Sequence, residues 1–251
     1  MNEGLGAVCD EFYVSSRLFL KLDLQVQRET LLHFLDRIRK DYPQLNKFRP
    51  RENGSLMLEE EADDRGSRRW MRLDRGSLRF GHVAPPSVDD VRRFGQLLLS
   101  QAPYHLTFSD IDFDHLELSY GFDLEYRGNH DQLVAETLLA DNAASRFLFG
   151  ERAAHVIDVQ PYFGITLSKD CDLQAYVEVK SRTTTFEVRN ATYEGQPISV
   201  LLTVRKYWGV DAPTSLEAAM HRLFDCADDL ATDIVVPGFV NPLAAAIASR
   251  S

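Results

Sequence analysis

Alternating and helical hydrophobic patterns divide the chain into two runs of elements. Leu18, Leu20, Leu22 and Leu24 alternate with Phe19, Lys21, Asp23 and Gln25, which predicts a strand over Arg17–Val26. Leu31, Leu35, Ile38 and Tyr42 then step by four, three and four, one face of a helix that Pro43 stops. Turn signals at Asn53-Gly54, Asp64-Arg65-Gly66 and Asp74-Arg75-Gly76-Ser77 separate strand-like Leu56–Glu60, Trp70–Leu73 and Leu78–Val83, a small antiparallel meander. Ser87 is a fitting N-cap for a second helix, with Asp89 and Asp90 in its first turn and Pro103 just past its end.

A similar order begins again near Asp112. His115–Arg127 reads as a long strand, His130–Leu139 as a helix, and Ala154–Leu167, Leu173–Val188 and Ile198–Trp208 as three strands. Thr214 with Glu217 forms a capping box for a last helix, whose apolar face is Leu216, Met220, Leu223, Ala227, Leu230 and Ile234. Pro237-Gly238 is expected to end it. The expected fold class is therefore α+β: mainly antiparallel sheet with helices on one face, built from a duplicated strand–helix–strands–helix unit. The expected divisions are a loose tail over 1–11, a first half over 12–108, a second half over 109–236 and an apolar tail over 237–251. At fold level the order resembles ferredoxin-like duplications and tandem strand–helix–strand–strand effector domains. The second half also resembles a helix-grip fold. Such analogy does not give function.

Charge changes the picture more than composition does. The formal net charge of -10 argues against nucleic-acid binding over a broad surface, because an acidic chain gains nothing from counterion release. Arg65, Arg68, Arg69, Arg72 and Arg75 form a local basic patch, read as a solvated hairpin able to touch an anion. Three scattered cysteines, Cys9, Cys171 and Cys226, give neither a disulfide framework nor a zinc site. Met1–Glu11 lacks the regions of a signal peptide, and no uninterrupted apolar run of about 18 residues predicts a membrane span. The expectation is a soluble cytoplasmic protein without a membrane partner.

Motifs of catalysis fail when tested. Asp110, Asp112 and Asp114 suggest a calcium loop, but His115 and Gly121 stand where glycine and glutamate are required. Asp225, Asp229 and Asp233 share a face of the last helix, read as solvated, with a dock for a basic partner or for arginines of the other half, and a divalent-metal site, as lesser alternatives. His221 and Asp225 fall short of a metal motif. No serine or cysteine sits on a recognisable nucleophile elbow or beside a positioned histidine. No catalytic residue, metal or cofactor is expected.

The most informative surface is the polar face of the second-half sheet. Alternation puts Gln174, Tyr176, Glu178, Lys180 and Arg182 on one face of their strand, and Ser199, Leu201, Thr203, Arg205 and Tyr207 on one face of theirs. Tyr176, Glu178, Lys180, Arg182, Arg205 and Tyr207 are the candidate ligand-binding residues. The leading expectation is a non-catalytic binding or interaction protein, self-associating or with a protein partner. The alternative is a module for an anionic or aromatic small molecule, or an enzyme, sited in a cleft between the halves. In that version Glu178 or Asp158 acts as acid/base and Arg182 or Arg205 clamps an anion.

Overall fold

The structure is a computed structural model and describes residues 4–50, 54–143, 145–208 and 215–250. Among the described residues nine strands form one antiparallel sheet: β1 (Glu11–Leu20), β2 (Lys47–Pro50), β3 (Leu56–Glu59), β4 (Arg68–Asp74), β5 (Ser77–Val83), β6 (Phe113–Tyr126), β7 (Tyr162–Thr166), β8 (Leu173–Lys180) and β9 (Gln196–Tyr207). Their order is β2-β3-β4-β5-β1-β6-β9-β8-β7. The chain is thus an α+β protein with one large sheet, wider than a single ferredoxin-like unit. The two halves join edge to edge, where β1 pairs with β6 from Glu11 opposite Asp123 to Leu20 opposite Phe113.

The described helices that accompany the sheet are α1 (Arg28–Asp41), α2 (Val88–Leu106), α3 (His130–Leu138), α4 (Ser145–Leu148), α5 (Thr185–Asn190), α6 (Leu216–Leu230) and α7 (Asn241–Ala248). A π-helical stretch, Ala231–Val240, joins α6 to α7 without a break. Helix α1 packs on α2, α2 on α6, and α6 on β6 and β9, while α7 packs on α3 and β6. Under them lies a single core, to which the central strands give Phe12, Val14, Leu18, Phe80, Leu116, Leu118, Tyr120, Phe122, Val200, Leu202 and Val204. Period-two alternation sends the polar set of each strand to the other face. The helices that contact the central strands, α2, α6 and α7, contribute their buried residues to the core on the first face.

Several sequence expectations change. The first strand starts six residues earlier than expected, and the alternation beyond Leu20 is not strand: Leu22 is 68% exposed. Part of the expected tail folds as a 3₁₀ turn, Leu5–Val8, with Leu5 buried. Only Tyr162–Thr166 of the expected strand 154–167 is extended in the sheet, and the strand from Leu173 ends at Lys180. Helix α2 runs through Pro103. Pro237 does not end the last helix, because the wider π register accommodates a residue without an N–H. The apolar tail therefore packs within its own chain, with Val240 and Leu243 fully buried. Thr214 lies outside the described residues; the described N-cap is Ser215, which accepts from Ala218 N–H at 3.1 Å.

By length and composition, the 33-residue helix Leu216–Ala248 could cross a membrane. It also carries Ala219, Leu223, Phe224, Ala227, Val235 and Val240 into the core.

Candidate functional site

On the open face, side chains from neighbouring strands line up in rows across the sheet. The register sets Arg72 opposite Arg79, Arg79 opposite Arg17, Arg17 opposite Glu117, and Glu117 opposite Arg205. Five adjacent strands, β4-β5-β1-β6-β9, thus present four arginines and one glutamate in one row. At the usual strand spacing the row is roughly 19 Å long.

The arginines are unequally compensated. Arg205 Nε donates to Glu117 Oε2 at 2.7 Å, and Arg72 Nε donates to Asp74 Oδ1 at 2.8 Å. Arg17 Nε donates to the neutral Ser77 Oγ at 3.0 Å, and its guanidinium lies 4.0 Å from the Phe19 ring centre. Arg79 has no carboxylate partner among the described residues. Burial first, and then the charge of Arg79, pushes the Arg17 pKa below the usual arginine range. Like charges opposite one another on neighbouring strands destabilise a sheet. An anion seated here would relieve that repulsion.

Two further rows flank the arginines. On one side Phe19, His115 and Tyr207 are directly opposed. Their rings stack face to face, with centres 4.0 Å apart for Phe19–His115 and 4.9 Å for His115–Tyr207. On the other side Trp70, Gly81, Ser15, Ser119, Thr203 and Tyr176 form a shallow trough. Ser119 and Thr203 share a hydrogen bond of 2.9 Å on its floor. The Trp70 ring lies over Gly81, where a Cβ would come within 2.8 Å of it, and the Tyr176 ring covers Gly164 in the same way.

The residues singled out in the sequence divide accordingly. Tyr176, Arg205 and Tyr207 gather at the β8–β9 end of these rows, and the Arg205 guanidinium lies 4.7 Å from the Tyr176 ring centre. Glu178 and Lys180 pair with each other at 3.2 Å farther along β8. Arg182 lies past the strand end, where it donates to Ser199 Oγ at 2.8 Å. The halves do not close over these six residues, because edge pairing continues the sheet instead. Glu178 faces this open surface, not a cleft. Arg72 and Arg79 face each other across the hairpin that turns at Arg75-Gly76, and long-range pairing of β1 with β5 brings Arg17 into line with them.

The basic patch of the first half also divides. Arg72 faces the open side, whereas Arg69 turns to the helix side, 19% exposed. There it bonds Glu60 at 3.0 Å and makes a short contact to Asp90. Beside it, Ser67 Oγ lies 2.8 Å from His82 Nε2, and His82 Nδ1 lies 3.3 Å from Asp90 Oδ2. This is the positioned histidine that the sequence did not reveal, and the order is that of nucleophile, base and acid. Two features weaken it as a catalytic triad. Burial, and next the Arg69 charge, pulls the His82 pKa down to about 4, a weak base at neutral pH. Asp90 is also engaged by Arg69, and His82 Nδ1 makes no hydrogen bond. The cluster ties β4 and β5 to the start of α2.

The acidic face of α6 is partly an internal dock. Arg92 of α2 reaches Asp225 at 3.1 Å and Asp228 at 3.4 Å, and Tyr120 donates to Asp228 at 2.7 Å. His221 meets Gln96, not Asp225. Asp110 and Asp112 lie in a 3₁₀ turn capped by Ser109. Among the described residues no cluster of histidine, cysteine or carboxylate side chains has the form of a metal site. A cavity of about 920 Å³ is lined by the single segment Arg146–Asp158 and lies apart from the arginine row. Comparison with known proteins gives no match among family models or curated proteins.

Proposed function

We propose that this is a non-catalytic binding protein whose open sheet face receives an acidic polypeptide segment. The observation that carries the reading is the unbroken Arg72–Arg79–Arg17 trio, in which Arg79 has no carboxylate partner. The row is too long for one small anion and suits a series of carboxylates. Hydroxyls of Ser15, Ser119 and Thr203 beside it offer hydrogen bonds to a peptide backbone. Nucleic acid fits less well: the rings of Phe19, His115 and Tyr207 are stacked on one another, and stacking of bases needs free ring faces. Glu178, Lys180 and Arg182 lie outside the arginine row and extend the surface at most as polar rim.

The reading includes a cytosolic location and descent from a duplicated unit. In support of the latter, each half runs strand, helix, strands, helix, and the strands of each half are added outward from the β1–β6 pair.

Fluorescence anisotropy with a labelled oligoglutamate peptide tests the proposal. Binding that weakens steeply with added salt is expected, with no binding of oligolysine. Tripolyphosphate serves as competitor: peptide binding through the row requires it to compete. Absence of oligoglutamate binding at low salt would refute the reading.

A further inference from the structure

We infer that the free edge of β7 is a homodimerisation surface, on which a second copy of this chain pairs its own β7 antiparallel about Gly164. The two outer edges of the sheet differ in kind. Strand β2 is protected in the way natural edge strands are: it carries Lys47, Arg49 and Pro50, with Lys47 bonded to Glu61 at 2.8 Å and Arg49 to Glu59 at 2.7 Å. Strand β7, Tyr-Phe-Gly-Ile-Thr, has no charge and no proline, and all five of its residues are exposed. Among the described residues none of its backbone groups pairs beyond β8.

The side chains continue this bare edge into an apolar patch. Phe163 and Ile165 lie opposite Val177 and Ala175 of β8 and stay 52% and 55% exposed. The Phe163 ring centre is 6.3 Å from that of Phe239 on the π-helical stretch, which also bears Ile234, half exposed.

Symmetry points to a second copy as the occupant, and the lack of charge along the edge permits it. A two-fold contact brings a surface against itself, so the surface must be self-complementary. Pairing about Gly164 sets Phe163 against Ile165 of the second copy, and Ile165 against its Phe163, all on the helix side. It sets Tyr162 against Thr166 on the open side. Gly164 sits on the axis, with no side chain to obstruct the pairing. Two chains of net charge -10 repel over most of their surfaces. The uncharged edge is where they can meet without like charges opposed. The dimer is a continuous sheet with both arginine rows left open, so this inference does not depend on the peptide-binding reading.

Sedimentation equilibrium at micromolar concentration tests it. The expected mass is twice the chain's 28.6 kDa. Ile165→Lys should weaken the dimer by about 100-fold or more, since a charge at a paired edge is left opposed to an apolar partner. Phe163→Lys should act alike, and Arg49→Glu at the opposite edge should leave the dimer intact. Circular dichroism should be unchanged, because the substituted positions are exposed, and oligoglutamate binding should persist in Ile165→Lys. A monomeric wild-type protein would overturn the inference. So would a dimer that survives both lysine variants, or one lost on Arg49→Glu.

Discussion

Acidification should unfold this protein partly through one side chain, His82. The ring is 1% exposed, and burial together with the Arg69 guanidinium holds its pKa near 4 against an ordinary 6.5. The sign follows from proton linkage. Between those two values the unfolded chain binds a proton that the folded chain refuses, so stability falls as pH drops. Above pH 6.5 the histidine has no effect; by pH 5 it should have removed about 2 kcal/mol, and by pH 4 about 3 kcal/mol. His82→Gln keeps an amide within reach of Ser67 and cannot titrate. Urea unfolding of both proteins at pH 7, 6 and 5 isolates the histidine, since most carboxylates titrate lower and act on both alike. The wild type should lose about 2 kcal/mol more than the variant between pH 7 and 5. Parallel profiles, differing by less than about 0.5 kcal/mol, would refute the account of this cluster.

Tyr120→Phe removes the hydroxyl that donates to Asp228 and leaves a desolvated carboxylate oxygen short of a partner. It should cost about 1–3 kcal/mol and lower the melting temperature by roughly 2–10 °C, read by calorimetry. Arg79→Glu replaces a cation between two cations by an anion. It should raise stability by about 0.5–1 kcal/mol through new cross-strand pairs with Arg72 and Arg17, seen as a higher urea midpoint. Because Leu223, Phe224, Ala227, Val235 and Val240 hold Leu216–Ala248 to the core, the protein should stay in the supernatant when phosphatidylcholine vesicles are pelleted. Recovery with the vesicles would show that this helix leaves the fold for lipid.

What could be read from the sequence follows the range of the forces involved. Strands β6, β8 and β9 are legible because each alternates over most of its length, with one face largely in the core. Helix α2 was legible through Ser87, which accepts from Asp90 N–H at 3.2 Å. Residues 154–161 look strand-like because Val156 and Val159 are apolar. They are buried from a loop instead, fixed by Asp131, whose Oδ1 accepts from Val159 N–H at 2.8 Å. Helix α5 carries a sequence signal of its own: Thr184 and Glu187 form a reciprocal capping box. The π-helical passage through Pro237 contradicts the ordinary rule for proline and depends on packing around it. The candidate site was half visible. Alternation put Tyr176, Arg205 and Tyr207 on one face, but the arginine row arises from β4, β5, β1, β6 and β9 brought into register. Strand register between distant segments is not encoded by any local pattern.

The most direct test of the peptide-binding face is the affinity of Arg79→Glu for oligoglutamate, measured by anisotropy beside the wild type. Arg79 has no carboxylate partner to lose, so the substitution changes the charge of the row without unpicking the fold. The account predicts at least a tenfold loss of affinity, the equivalent of about one charge-assisted hydrogen bond. An affinity equal to that of the wild type would contradict it.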